Sequence, residues 1–211
     1  MRIPVARQGY PFILAGIGLT ALFLWLDLSI VWAVSGFLTL FIISFFRDPE
    51  RRSPPGERTV LAPADGKVLL VEETEESLFS GGPAFKISIF MSVFNCHVNR
   101  FPLGGRIEKI RYRTGKFFAA HQERASKQNE QNALLLITEK GEAVVLVQIA
   151  GLIARRIVCR VRPGDRVQRG ERLGLIRFGS RVDLYLPPTS KITVKRGAKV
   201  KAGLSQLGEM P

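Results

Sequence analysis

The chain has 211 residues, enough for one domain and an appendage, and 46% of them are apolar, enough to bury a core. Its 31 Lys and Arg against 18 Asp and Glu give a formal net charge of +13, which points to a polyanionic partner, either nucleic acid or an anionic lipid surface. The two cysteines, Cys96 and Cys159, are isolated and form no CxxC motif, which argues against a secreted disulfide scaffold and fits a reducing compartment.

Residues Pro11 to Leu26 are almost wholly apolar. Asp27 interrupts, and Leu28 to Phe46 are apolar again without a charge. The second run has 19 residues, close to the roughly 20 that span a bilayer core. The first run has 16 and spans only with help. A cleaved secretory signal fits poorly, because the second run follows at once and no small-residue cleavage site ends the first. Residues 1–46 therefore read as an α-helical membrane hairpin, spanning or re-entrant, with its turn near Asp27. Arg2 and Arg7 precede it, and Arg47, Arg51 and Arg52 follow it. Positive flanks at both ends place both in the cytoplasm, so the rest of the chain is expected on the cytoplasmic face of the cell membrane. The excess of Lys and Arg then has a partner in anionic headgroups.

Residues 47–58 are a polar, Pro-containing linker. From 59 to 211 the pattern becomes one of short strands, at about 60–62, 67–71, 85–91, 105–112, 133–138, 142–149, 156–161 and 173–178, bounded by Gly, Pro and charged turns. Residues 71–80 are acidic and read as loop, and 122–131 as a short helix or loop. A weak repeat, V-x-x-G-x-x-V-x-x-G, runs from Val161 to Gly170 and recurs 33 residues later from Val194 to Gly203. Its glycines suit the positive φ of tight turns. The fold class is mainly β: a flattened, barrel-sandwich-like domain of short strands, similar in architecture to biotinyl and lipoyl domains, behind the helical hairpin.

The chemistry-bearing residues are individually unremarkable. His97 follows an apolar strand, a common place for a functional side chain, although on its own such a histidine is more often a satisfied one near the core. Asp65 sits in Pro63-Ala64-Asp65-Gly66, a good tight turn. Ser180 lacks a GxSxG elbow. Gly179-Ser180 reads either as a plain turn or as a bond that the chain cuts itself. Two histidines, two distant cysteines and no HExxH make no metal set. No phosphate loop is present, and most of the phenylalanines lie in the hairpin or in strands rather than among the basic residues, so nucleic acid is not the expected partner.

Taken in order, Ala62-Pro63-Ala64-Asp65-Gly66, His97-Val98-Asn99-Arg100 with Pro102, Gly115-Lys116-Phe117, Asn129-Glu130-Gln131-Asn132 and Phe178-Gly179-Ser180 resemble phosphatidylserine decarboxylase in its short bacterial and archaeal form. The resemblance runs from about Leu61 to Pro188, and the hairpin fits it. It implies a proenzyme that cuts itself between Gly179 and Ser180 into a β chain, 1–179, and an α chain, 180–211, which stay together; higher oligomers are left open. Ser180 is implied as the nucleophile and the source of a covalent pyruvoyl group, whose ketone forms a Schiff base with the substrate amine. The Gly179 carbonyl is the one attacked, His97 is the base, and Asp65 orients it. Arg100 stands where long-form members carry a second histidine; with Arg181 and His121 it is a candidate substrate binder. The substrate is phosphatidylserine in an anionic membrane, with the archaeal ether lipid archaetidylserine as a variant. A membrane-anchored adaptor without chemistry is the alternative of another class.

Overall fold

The computed structural model describes residues 4–79, 81–120, 122–151, 156–177 and 179–211. The chain divides into two compact units, Met1–Glu50 and Arg51–Pro211. In the first unit a 3₁₀ turn (Arg7–Gly9) leads into α1 (Tyr10–Trp25), which is followed by α2 (Ser29–Phe45). Pro11 lies in the first turn of α1, where a missing N–H costs nothing. Asp27 adopts φ +54, a left-handed conformation that Asp tolerates better than most side chains, and it reverses the chain. The facing helices share a seam of small polar residues. The Thr20 hydroxyl donates to the Gly16 carbonyl at 2.8 Å and lies 2.9 Å from the Ser35 hydroxyl, and that of Thr39 donates to the Ser35 carbonyl at 2.8 Å. A Cβ at Gly16 would meet Thr39 Oγ1 at 2.6 Å, so the glycine lets the helices approach. Leu14, Ile17, Leu24, Ile30, Phe37 and Leu40 are exposed on the outside. The ends of the hairpin meet at a bridge between Val5 and Arg47, where Ala6 N–H donates to the Phe46 carbonyl at 2.8 Å. By length and composition the 19-residue helix Arg7–Trp25 is apolar enough to cross a membrane, whereas Ser29–Phe45 is apolar but shorter.

The second unit is built from β1 (Thr59–Leu61), β2 (Gly66–Glu75), β3 (Pro83–Met91), β4 (Val98–Arg100), β5 (Gly105–Arg113), β6 (Gln131–Ile137), β7 (Ala143–Ala150), β8 (Ile157–Cys159), β9 (Arg166–Val167), β10 (Arg172–Ile176), β11 (Ser180–Leu186), β12 (Lys191–Ile192), β13 (Lys199–Val200) and β14 (Gln206–Glu209), with the short helix α3 (Glu123–Gln128) before β6. The main sheet has eight strands in the order β13-β2-β3-β11-β7-β6-β5-β9 and curls as a half-barrel. Two three-stranded sheets, β1-β14-β12 and β4-β10-β8, complete the unit. The expected mainly β class is thus observed. Several elements differ from expectation, among them the short strands β9, β12, β13 and β14, which the sequence pattern does not mark. The acidic stretch after Val71 continues β2 to Glu75, because β2 pairs with β3 as far as Pro83 and Glu72 faces Lys86 across the ladder. β4 and β11 are additional strands, and β11 is central.

Side chains alternate across β11. Val182, Leu184 and Leu186 join the main core with Ile87, Ile89 and Met91 of β3, Leu134 and Leu136 of β6, and Leu146 of β7. The opposite face of the sheet carries a smaller cluster of Ala133, Leu135, Val145, Val147 and Ile149. Full burial of each large aliphatic side chain contributes about 1.5–3 kcal/mol, so this two-sided packing fixes the register of β11.

The internal repeat has a structural counterpart. Gly164, Gly170, Gly197 and Gly203 all have positive φ, between +72 and +94. Gly164 N–H donates to the Ile107 carbonyl, and Gly197 N–H to that of Val68; Gly170 N–H donates to Phe101, and Gly203 N–H to Ala62. β9 pairs with the start of β5 as β13 pairs with the start of β2. Residues 98–113 with 161–170 therefore echo residues 59–75 with 194–203.

Candidate active site

Ser180 opens β11 between β3 and β7, directly opposite Met91 on one side and Ala150 on the other. It is fully buried, and its hydroxyl donates to Met91 Sδ at 3.4 Å. The preceding Gly179 has φ +56, the left-handed region that glycine enters without steric cost. Its carbonyl lies against Gly151, the residue after β7. A Cβ at Gly151 would stand 1.9 Å from Gly179 O and 3.3 Å from the Ala120 Cβ, so no side chain fits there. The backbone of Gly151 thus forms one wall around the Gly179 carbonyl.

The position of His97 follows from how β3 ends. Asn95 closes a turn: its N–H donates to the Ser92 carbonyl at 2.9 Å, and its Oδ1 accepts from the Ser92 N–H and hydroxyl, both at 2.8 Å. The turn carries the chain from β3, which flanks β11, to β4, which flanks β10, with Val98 opposite Leu175. After β10 the chain returns through Gly179 to β11. His97 and the Gly179-Ser180 bond therefore both lie where the chain passes between the two sheets. His97 is buried, and its Nδ1 is 3.0 Å from the Asn95 carbonyl. A carbonyl only accepts, so Nδ1 carries the hydrogen and Nε2 the lone pair.

A chain of buried amides supports this region. Asn132 Nδ2 donates to Gln148 Oε1 at 3.1 Å, Gln148 Nε2 to Asn99 Oδ1 at 2.9 Å, and Asn99 Nδ2 to Met91 Sδ at 3.5 Å, the same sulfur that the Ser180 hydroxyl reaches. Asn129 clamps the neighbouring loop. Its Oδ1 accepts from Phe118 N–H at 2.8 Å, and its Nδ2 donates at 2.7 Å to the carbonyls of Phe118 and of Ala150, the partner of Ser180. Tyr112 pairs with Asn132 across β5 and β6. Partial burial, with a hydrogen bond to the Glu130 carboxylate, pushes its phenol up to about 12. The sequence assigns no role to Gly151 or Gln148, nor to Asn99 within the motif His97-Val98-Asn99-Arg100. Their contacts come from strand register.

The other expected site residues are placed differently. The orienting group on His97 Nδ1 is the Asn95 carbonyl. Asp65 is engaged elsewhere: its Oδ2 accepts from Arg51 Nη2 at 2.8 Å, and its Oδ1 from Arg51 Nη1 and from the Ala202 N–H, the latter at 2.8 Å. Both side chains are about nine-tenths buried, 9% and 11% exposed, so this is an internal ion pair that ties residues 51, 65 and 202 together. Arg181, expected as a substrate binder, projects from the face of β11 opposite Ser180, because successive side chains on a strand alternate. There it bonds Asp183 through Nε at 2.5 Å and Nη2 at 3.0 Å, and donates to the Ser88 hydroxyl at 2.8 Å. Arg100 is buried next to Asn99 and points to the other side of β4. Its Nη1 donates to the Gly170 carbonyl at 2.9 Å, and its Cδ lies where a Cβ of Gly203 would come within 2.8 Å. Neither arginine joins Ser180. His121 and Phe178 lie outside the described residues.

A cleft of about 1100 Å³ opens at the opposite end of β6, between Arg58, Arg106, Ile137, Lys140, Arg169 and Met210, and none of the residues above lines it.

Comparison with known proteins gives the family. The family model described as phosphatidylserine decarboxylase matches residues 38–208. A phosphatidylserine decarboxylase proenzyme of Syntrophus aciditrophicus (strain SB) is 50% identical over 206 residues, covering 97% of this chain and 96% of the relative. Proenzymes of the same name from Desulfotalea psychrophila and Magnetococcus marinus are each 46% identical, covering 99% and 98% of this chain and 98% and 95% of their own lengths. A buried Gly-Ser junction, a histidine at the same sheet crossing and near full-length similarity converge: the chain belongs to the phosphatidylserine decarboxylase family, a family of carboxy-lyases.

Proposed function

We propose that this chain decarboxylates phosphatidylserine to phosphatidylethanolamine, using a pyruvoyl group made from Ser180 when the chain cuts itself after Gly179. The observation that carries this reading is the Gly179-Ser180 junction: a left-handed glycine whose carbonyl rests on the bare backbone of Gly151, followed by a fully buried serine.

In the self-cleavage step, the Ser180 hydroxyl attacks the Gly179 carbonyl carbon, and the amide becomes an ester. His97 Nε2 takes the hydroxyl proton and returns it to the departing nitrogen. The Asn95 carbonyl holds the imidazole in the tautomer this requires. Elimination then removes the Cα proton of residue 180 to a base and breaks the ester's O–Cβ bond, leaving a carboxylate on Gly179 and a dehydroalanine at 180. Addition of water releases ammonia and leaves a ketone. The products are the β chain 1–179 and the α chain 180–211, held together because β11 pairs with β3 from Ser180 to Leu186 and with β7 from Ser180 to Tyr185.

The residues around position 180 fit such a group. The space beside the Gly179 carbonyl is one that any Cβ at 151 would fill, and Met91, Ala150 and Asn99 would hold the α-chain terminus. When formed, the pyruvoyl group supplies an electron sink for the carbanion left by decarboxylation. The chain's own part is to keep the site dry and to place proton carriers on that face. The hairpin would anchor the enzyme in the cell membrane, where the lipid substrate lies. Arg2, Arg7, Arg47, Arg51 and Arg52 would keep its ends, and hence the β unit, on the cytoplasmic side. Incubation of the purified protein with phosphatidylserine vesicles tests the reading. Carbon dioxide release by the wild type and none by Ser180→Ala is the expected pair of results; equal release by both would refute it.

A further inference from the structure

The sequence motif Asn129-Glu130-Gln131-Asn132 contains one group that the chemistry above leaves unused, the Glu130 carboxylate. Register places it. Gln131 pairs with Ile149, and Ile149 with Arg181; one step on, Ala150 pairs with Ser180, and Ser180 with Met91. The Ala150 N–H donates to the Glu130 carbonyl at 2.9 Å, which extends the ladder by that one step. Glu130, Ala150, Ser180 and Met91 therefore form a single row across four neighbouring strands. Residues directly paired across antiparallel strands project from the same face. The next row on that face, Asn132, Gln148 and Val182, shows this directly, because Asn132 and Gln148 bond each other there and Gln148 bonds Asn99. Glu130 and Ser180 thus share a face two strands apart, roughly 10 Å between backbones. The residue on the strand between them is Ala150, whose side chain is a single methyl group.

Glu130 is 8% exposed. The Tyr112 phenol hydrogen-bonds its carboxylate, yet Oε1 is buried and has no hydrogen-bond partner among the described residues. Buried carboxylate oxygens are ordinarily satisfied, so one left open beside a reaction centre is an acceptor for a ligand donor. The substrate class brings one such donor: an ammonium group, which must lose a proton before its nitrogen can attack a carbonyl.

We propose that Glu130 is a catalytic residue that receives the substrate's ammonium group, accepting an N–H at Oε1 and taking up the proton that the amine sheds. One N–H bond breaks, one O–H bond forms, and the amine is left neutral with its lone pair free. This assignment rests on the reading that residue 180 supplies the carbonyl, but it has its own readout.

The test compares wild type, Glu130→Gln and Glu130→Asp as full-length, self-processed enzymes in detergent. Glycerophosphoethanolamine, which carries the ammonium, and glycerol 3-phosphate, which does not, serve as soluble ligands. Glu130→Gln should still cut at Gly179-Ser180. It should bind glycerophosphoethanolamine about 10- to 100-fold more weakly, the scale of one charge-assisted hydrogen bond, and glycerol 3-phosphate as wild type does. Decarboxylation should fall by about 10²-fold or more, with partial recovery in Glu130→Asp. Unchanged preference for the amine ligand, equal weakening of both ligands, or failure of Glu130→Gln to cut would each overturn the assignment. Should the wild-type chain itself fail to cut, the fault lies in the pyruvoyl reading, and the assignment falls with it.

Discussion

Replacing Gly151 with alanine tests the placement of the scissile bond. The added methyl carbon would stand 1.9 Å from the Gly179 carbonyl oxygen, whereas contacts under 3.0 Å are essentially never observed for a Cβ. The carbonyl must therefore retreat by about 1 Å, or β11 must shift against β7. A misplacement of that size at a reacting carbon costs about 10²-fold in rate. The obstacle on the other side is backbone and cannot swing away as a flexible side chain would. Gly179→Ala is the matched control. Nothing lies within 4 Å of its added Cβ, and its cost comes from φ +56 alone, about 1–2 kcal/mol. The assay is the rate at which newly synthesised chain separates into two bands on a denaturing gel, with thermal unfolding recorded in parallel. Gly151→Ala should cut about 100-fold more slowly while still melting cooperatively, and more slowly than Gly179→Ala. A folded Gly151→Ala chain that cuts at the wild-type rate would show that the carbonyl does not lie where the register of β7 and β11 puts it.

Three further outcomes follow from the site. His97→Ala should abolish cutting in a chain that still folds; normal cutting would remove the imidazole from that step. Asp65→Asn should destabilise the β unit by about 3 kcal/mol in denaturant titration, because it removes the charge of a carboxylate that pairs with the buried Arg51 guanidinium. Arg51→Ala should cost a similar amount, the two should be strongly non-additive, and Asp65→Asn should still cut at low temperature. Loss of cutting without loss of stability would instead mean that Asp65 acts on His97. Tyr112 should titrate near 12 in the folded protein rather than 10. The folded state then keeps a proton that the unfolded chain has lost, so this contribution to stability is present below pH 10 and disappears as pH rises to about 12. Glu130→Gln should bring that titration down, as absorbance of the phenolate would report.

The hairpin was legible because unbroken apolar runs around one Asp have few other uses. The repeat was legible because glycine at a tight turn is hard to replace, and all four of its glycines have positive φ. β11 is hard to read from sequence although Ser180 to Leu186 alternates between core and opposite face, because the opposite face buries the charged Arg181 and Asp183. The acidic end of β2 was misread because its exposed glutamates mimic a loop, and only pairing with Lys86 and its neighbours on β3 reveals a strand. For the candidate site, the family resemblance singles out Ser180 and His97 but not their surroundings. Asp65 meets Arg51 and Ala202, 14 and 137 residues away, and Gly151 meets Gly179 only because β7 and β11 are in register. Arg181 illustrates the same limit from the other side: adjacent in sequence to Ser180, it is carried to the opposite face by the pleat.

The central claim, that this chain makes its own reactive group at the Gly179-Ser180 bond, is tested most directly by the intact mass of the purified protein. The account predicts two chains, 1–179 and 180–211, the smaller with a pyruvoyl group in place of its N-terminal serine, and a single uncut chain for Ser180→Ala. One wild-type chain of 23.5 kDa from a folded, membrane-associated preparation would contradict it.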